Sequence, residues 1–207
     1  MTTGITTVLF DLGGVVCRFH PERRLRALAA DCGLSEREVR RRIWESGFDR
    51  DCDLGRYTAD EVYQQTRHRL GLRASDEAFR RMWALAFEPE PAVLALVDLL
   101  RSCVHTGLLT DNGPVLRDAM ATLFPEISRR FKPLLFSCEL RALKPTKELF
   151  AAVLQCLDQR AEHVLLVDDS PRVVEGALAF GLQACLYSSP DILQRQLTKY
   201  VRSTESR

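Results

Sequence analysis

Four short segments, far apart in the chain, each carry a polar or charged residue at the end of an apolar run or beside a helix start. Asp11 follows Val8-Leu9-Phe10, Thr110 follows Gly107-Leu108-Leu109, and the pair Asp168-Asp169 follows Val164 to Val167. Lys144 stands directly before Pro145, after a further apolar segment. Carboxylates at Asp11 and Asp169 within a few ångströms would repel each other unless a cation lay between them. Magnesium takes oxygen ligands, keeps several waters, and uses one or two carboxylates together with a substrate phosphate. A lysine ammonium and a threonine hydroxyl are the donors that a developing oxyanion requires. A carboxylate nucleophile, a divalent cation, a lysine and a hydroxyl together suit phosphoryl transfer through an aspartyl-phosphate intermediate.

Such residues meet only if the chain lays their strands side by side. Residues 5–10 are short, β-branched and apolar, the pattern of a buried strand. From about His20 to Phe87 the pattern turns to amphipathic helices, with Ser35 before residues 36–44, Thr58 before 59–70 and Ser75 before 76–86. Ser35 with Glu38, and Thr58 with Glu61, have capping-box spacing. After Pro89 and Pro91 a helix is expected over 92–101, and strand and helix then alternate. Strands are expected at 104–109, 134–137, 163–167 and 183–187, with helices at 114–123, 145–157 and 171–180. Alternation of this kind predicts an α/β fold, a Rossmann-like parallel sheet core flanked by helices. The helix-only stretch is too long for a crossover and reads as an inserted all-helical cap, over residues 18–88, on a core of residues 1–17 and 89–207. In an open parallel sheet ligands bind beyond the carboxyl ends of the strands, so Asp11, Thr110 and Asp168-Asp169 are expected in one crevice, with Lys144 in reach.

Composition narrows the function classes. Apolar residues make up 46% and charged residues 28% of the 207, ordinary values for a folded globular chain. A net charge of +1 predicts neither a nucleic-acid nor a membrane surface. No apolar stretch approaches the roughly 20 residues that span a bilayer, and residues 1–7 lack the pattern of a signal peptide. The cysteines, at 17, 32, 52, 103, 138, 156 and 185, are odd in number and widely spaced, with no C-x-x-C pair. Neither a disulfide framework nor a zinc site is indicated, and reduced thiols in the cytoplasm are expected.

Val8-Leu9-Phe10-Asp11-Leu12-Gly13-Gly14-Val15, Leu108-Leu109-Thr110-Asp111-Asn112, Leu143-Lys144-Pro145 and Val167-Asp168-Asp169-Ser170 resemble, in order, the four motifs of haloacid dehalogenase-like hydrolases. The resemblance extends to Asp53-Leu54-Gly55-Arg56-Tyr57-Thr58 and to Glu175-Gly176-Ala177 with Gly181, and the long insertion resembles that family's helical cap of the first type. Within the family the chain is most similar to bacterial phosphatases acting on glucose 1-phosphate. The resemblance implies that Asp11 is nucleophile and metal ligand, with Asp169, Asp168 and the Gly13 carbonyl also facing a magnesium ion. It implies that Thr110 and Lys144 bind the phosphoryl oxygens, with Asp111 and Asn112 near phosphate or leaving group. The implied substrate is a small phosphorylated metabolite, a sugar phosphate by the subgroup, and the chain is expected as a monomer or homodimer.

One position departs from the family pattern. Most of its phosphatases carry a second aspartate two residues after the nucleophile, and here Gly13 has no side chain. Proton transfer of that kind contributes on the order of 10²–10⁴-fold. The loss fits good leaving groups or a replacement from the cap, for which Asp49, Asp51 and Asp53 are candidates. It also keeps two other readings open: a metal-independent 2-haloacid dehalogenase, or a non-catalytic protein that binds metal and ligand. Arg37, Arg40, Arg41 and Arg42 read as a solvated face, Ser170 as an N-cap, and Trp44, Trp83, Phe48, Phe79 and Phe87 as the cap's own core. His20 lies near the cap hinge, where it could meet substrate, and Cys17 near Asp11 has no partner that would make it a nucleophile.

Overall fold

The computed structural model describes residues 4–201; the polar tail expected from Ser203 lies outside them. In chain order the elements are β1 (Thr7–Phe10), β2 (Cys17–Phe19), α1 (Pro21–Cys32), α2 (Glu36–Arg40), a π-helical turn (Arg41–Glu45), α3 (Phe48–Asp53), α4 (Ala59–Leu70) and α5 (Asp76–Ala84). There follow β3 (Phe87–Pro89), α6 (Pro91–Leu100), β4 (His105–Thr110), α7 (Pro114–Leu123), α8 (Pro125–Arg130), β5 (Leu134–Phe136) and α9 (Ser137–Leu140). The chain ends with α10 (Lys147–Leu157), β6 (Val164–Asp168), α11 (Pro171–Phe180), β7 (Gln183–Leu186) and α12 (Pro190–Val201). Five strands form one parallel sheet in the order β5-β4-β1-β6-β7. β1 lies at its centre with all four residues buried, which is why its sequence reads as a continuous apolar run.

Side chains alternate across the sheet and sort the core into two layers. Val8, Phe10, Leu108, Leu165 and Val167 face one side, where Phe10 meets Phe131 edge-on at 5.6 Å. Leu9, Leu109 and Leu166 face the other, against Leu149 and Phe150 of α10 and Val173 and Ala177 of α11. Gly107 sits opposite Leu9 in the register. A Cβ there would lie 2.8 Å from Leu9 Cδ2 and 3.1 Å from the Pro133 carbonyl oxygen, so the packing leaves no room for a side chain.

Helices α1 to α5 all lie between β2 and β3, which pair antiparallel as a short ribbon with Cys17 opposite Pro89 and Phe19 opposite Phe87. Ser35 and Thr58 cap α2 and α4 by accepting from the Glu38 and Glu61 amides at 3.2 and 3.3 Å, and Glu61 completes a capping box. Four helices differ from expectation, α6 by only one residue at each end, since it runs Pro91–Leu100. The helix expected over 36–44 divides at Arg40 into α2 and the π-helical turn, which carries Arg42 with its guanidinium on the Arg69 carbonyl at 2.7 Å. α5 stops at Ala84, and the Ala86 carbonyl beyond it accepts the His20 amide at 2.7 Å, beside the ribbon. α10 starts at Lys147 because the Thr146 hydroxyl caps it through the Leu149 amide at 3.3 Å. The C-terminal helix α12 was not expected; it buries Leu193 and Leu197, spaced i, i+4.

Filling the Gly107 position tests the packing of this sheet. Gly107→Ala is expected to lower unfolding stability by about 1–3 kcal/mol through overpacking, read as a lower urea midpoint. An unchanged midpoint would refute the steric account.

Candidate active site

The loop after β1 is held tightly around its first carboxylate. The Asp11 amide donates to the Val167 carbonyl at 2.9 Å, which fixes Asp11 beside β6. Its own Oδ1 accepts the Leu12 amide at 2.7 Å, and the Cys17 amide returns to the Leu12 carbonyl at 2.7 Å. Gly14 has φ +87°, and a Cβ there would stand 2.1 Å from Asp169 Oδ2. The backbone of the first motif therefore presses directly on the carboxylate that follows β6, and only glycine allows it.

Lys144 joins the pieces. Its Nζ lies 2.8 Å from Asp11 Oδ1 and 2.7 Å from Asp168 Oδ2, with only 4% of the side chain exposed. Its amide donates to both oxygens of Asp111, at 3.2 and 3.1 Å. Asp168 Oδ1 accepts from the Ser170 amide at 2.9 Å. Thr110, at the end of β4, accepts from the Asn112 side-chain amide at 2.8 Å, and the Asn112 backbone amide donates to Ser137 Oγ at 3.0 Å. Ligand oxygens of Asp11, Asp168 and Asp169 all lie within 4.8 Å of one another.

Burial pushes the Asp11 carboxyl up from its ordinary value, with Lys144 opposing and Asp168 adding to the rise. Burial likewise raises Asp111 against the opposing Lys144, and raises Asp169 together with the charge of Asp168. Burial alone would lower the Lys144 ammonium, but Asp11, Asp168 and Asp111 outweigh it and hold it above the usual lysine range. Asp11, Asp168 and Asp169 set three carboxylates against one ammonium that pairs with two of them, leaving two negative charges in a small space. Oxygen donors with that excess fit one divalent cation such as magnesium.

A cavity of about 330 Å³ opens over this base. Asp11, Gly13, Thr110, Asp111 and Asn112 line it, and so do Lys144, Asp168 and Asp169, so the strand ends bring together every residue named from the four motifs. Ser170 also lines it; it stands before α11 but makes no side-chain capping bond. The inserted helices supply the opposite wall through Arg24, Trp44, Asp49, Asp53 and Trp83, with Phe19 and Phe87 from the ribbon. Trp44, Trp83 and Phe87 thus serve both the helical core and the cavity, while Phe48 and Phe79 are core alone.

Of Asp49, Asp51 and Asp53, the first and last line the cavity, whereas Asp51 pairs with Arg56 at 2.9 Å. His20 instead faces Glu22 and Glu88, at 3.5 and 3.7 Å, in an ion-pair cluster at the ribbon with Arg18 and Arg23. Arg41 and Arg42 pair with Glu38, away from the cavity. Cys17 is buried, which pushes its thiol well above the usual range and leaves it inert.

Arg24 and Ser137 were not singled out from sequence. Arg24 is 5% exposed, its guanidinium 4.4 Å over the Trp83 ring and its Nε donating to the Trp83 carbonyl at 2.8 Å. The signal available was helical phase, since Arg24 shares a face with Leu28, whereas Arg23 and Arg26 next to it do not. Ser137 accepts from Asn112 and donates to the Asp53 carbonyl at 2.8 Å, a bridge between distant segments that no local pattern announces.

A family model described as haloacid dehalogenase-like hydrolase matches residues 5–181. The mouse protein named bifunctional epoxide hydrolase 2 is 24% identical over 149 residues, 68% of this chain but 27% of that protein, so the chain spans about a quarter of the length of this curated relative. Among solved structures, a haloacid dehalogenase family enzyme of Bacteroides thetaiotaomicron, in complex with magnesium and inorganic phosphate, superposes with a TM-score of 0.73 at 21% identity, covering 89% of this chain and 95% of that one. The L-2-haloacid dehalogenase of Xanthobacter autotrophicus superposes with a TM-score of 0.61 at 21% identity, covering 94% of this chain and 83% of that one.

Removing the shared ammonium exposes the charge imbalance. Lys144→Met is expected to cost about 3–5 kcal/mol of unfolding stability near neutral pH without added metal, since buried carboxylates lose their partner. Those carboxyls would then have folded-state values raised above their unfolded ones. The loss should shrink as pH falls into the carboxylate range and grow as it rises. Urea unfolding across pH checks this; a penalty independent of pH would refute it.

Proposed function

Since the chain belongs to the haloacid dehalogenase-like hydrolases, we propose that it is a magnesium-dependent phosphatase of a small phosphorylated metabolite, with a sugar phosphate as the preferred class. The observation that carries this reading is the Lys144 ammonium bridging Asp11 and Asp168 beside Asp169, with two negative charges in excess. Support comes also from the Bacteroides thetaiotaomicron neighbour, whose structure holds magnesium and inorganic phosphate.

In this reading Asp11, Asp168, Asp169 and the Gly13 carbonyl would hold a magnesium ion, which would offset the negative charge of the carboxylates and the phosphoryl group. Asp11 Oδ1 is held by Lys144 and the Leu12 amide, which leaves Oδ2 for attack on phosphorus. Thr110 and Lys144 donate to the phosphoryl oxygens. Asp111 accepts the Lys144 amide through both oxygens and fixes the lysine's backbone, while Asn112 orients the Thr110 hydroxyl. The inserted helices act as a cap that selects the leaving group and keeps water from the acyl phosphate until hydrolysis. A cytoplasmic location accords with seven cysteines standing as free thiols, and the assembly in this reading is a monomer or homodimer. The metal-independent dehalogenase reading accounts less well for the site, because it leaves the carboxylate excess without a counter-ion.

Phosphate release from a panel of sugar phosphates and an activated aryl phosphate, with and without Mg²⁺, tests the proposal. Turnover should require both Mg²⁺ and Asp11, so that chelation or Asp11→Asn abolishes it. Absence of release from every ester, the activated one included, would overturn the phosphatase reading.

A further inference from the structure

A phosphate ester of an ordinary alcohol leaves as a strong base, so its oxygen must receive a proton as the bond to phosphorus breaks. Residue 13 cannot give it. A Cβ at Gly13 would lie 3.5 Å from the rings of Phe19 and Phe87, so the cavity beside it is walled by hydrocarbon. The ionisable side chains facing the cavity from the inserted helices are Arg24, Asp49 and Asp53.

These are not equivalent. Burial raises the Asp49 carboxyl, while the charge of Arg24 and the Trp44 side chain beside it oppose the rise. Asp111, on the core side, is taken up as an acceptor by the Lys144 amide. Among the described hydrogen bonds none engages the Asp53 carboxyl, whereas its backbone is fixed: its carbonyl accepts from Ser137 Oγ at 2.8 Å, and that oxygen accepts from the Asn112 amide at 3.0 Å. One hydroxyl thus locks the end of α3 to the loop that carries Thr110. Gly55, two residues on at φ +68°, packs so closely that a Cβ would stand 2.0 Å from the Cys138 carbonyl oxygen. Burial, with the charges of Asp49 and Asp111 adding and Arg24 opposing, pushes the Asp53 carboxyl up to about 9, so it keeps its proton near neutrality. The same wall carries Arg24 Nη2, a buried donor with no acceptor of its own, as expected where part of the polar complement comes from a ligand.

We propose that Asp53, supplied by the inserted helices, is the general acid and base for an alcohol leaving group, an assignment that rests on the phosphatase reading above. In the first step an Asp11 oxygen forms a bond to phosphorus and the bond from phosphorus to the leaving oxygen breaks. Its electron pair stays on that oxygen, which takes the Asp53 proton, giving the free alcohol, an aspartyl phosphate and an Asp53 carboxylate. In the second step water attacks phosphorus while Asp53 recovers a proton from it, and the bond from phosphorus to Asp11 breaks to release phosphate.

The test compares a hexose 6-phosphate, whose leaving group needs a proton, with p-nitrophenyl phosphate, whose leaving group does not. Asp53→Asn in the full chain with Mg²⁺ is expected to lower kcat on the hexose ester by about 10²–10⁴-fold, with a much smaller loss on the aryl ester. Asp53→Glu is expected to recover part of the hexose ester activity. Equal losses on both esters, or no loss on either, would overturn the assignment while leaving the phosphatase reading intact. So would an unmodified protein that cleaves the aryl ester but no alkyl phosphate. An unmodified protein that releases phosphate from neither ester would overturn both.

Discussion

The whole base of the site is organised around one buried ammonium. Lys144 Nζ touches Asp11 and Asp168, its amide touches Asp111, and β1, β4 and β6 must all be in register for those contacts to exist. Pairing at such short range in a poorly solvated place is strong only when each partner's desolvation is offset. Here it is offset incompletely, because four carboxylates, those of Asp11, Asp111, Asp168 and Asp169, act on one lysine. The fold tolerates that imbalance because β1 is fully buried between β4 and β6, and two apolar layers hold the strand ends in place. A site whose charges are unbalanced without a cation is one that a cation stabilises.

Glycine placement follows from the same closeness. Gly14 permits the first loop to press on Asp169, and Gly107 permits Leu9 and the Pro133 backbone to close over β4. Both sit where two strands bring atoms nearer than a methyl group allows. In sequence they look like any other glycine, so their meaning emerged only from the packing around them.

The sheet was legible because its signal is local and repeated. Apolar runs ending in Asp11, Thr110 and Asp168 announced strand, strand end and chemistry together, and capping at Ser35 and Thr58 located two helices of the insertion. What escaped was non-local. The ribbon of β2 and β3 joins residues about seventy positions apart in the chain, and no turn signal links them. α12 was overlooked although Leu193 and Leu197 mark its buried face, because the strand and helix alternation had already ended. Beyond its helical phase Arg24 carries no mark of its role in the sequence, and only its pairing with the Trp83 carbonyl and ring explains how a cation comes to be buried there. Ser170 stands at the N-cap of α11 as its sequence position suggests, but its hydroxyl makes no capping bond and the residue lines the cavity.

The two walls of the cavity obey different physics, and the difference bears on what can vary. The base is fixed by charge, so a change at Asp11, Lys144 or Asp168 leaves a buried partner uncompensated. The opposite wall rests largely on rings and backbone: Trp44 and Trp83 lie nearly parallel at 6.5 Å, and α3 docks on the core through the Asp53 carbonyl, Ser137 and the Gly55 backbone. Docking through main-chain atoms does not depend on which side chains face the cavity. The lock between the walls therefore does not depend on the carboxyl of residue 53, which stays available to the leaving group. The nucleophile and the carboxylates around it are held by electrostatics at one wall, and the other wall brings the proton donor to the leaving group.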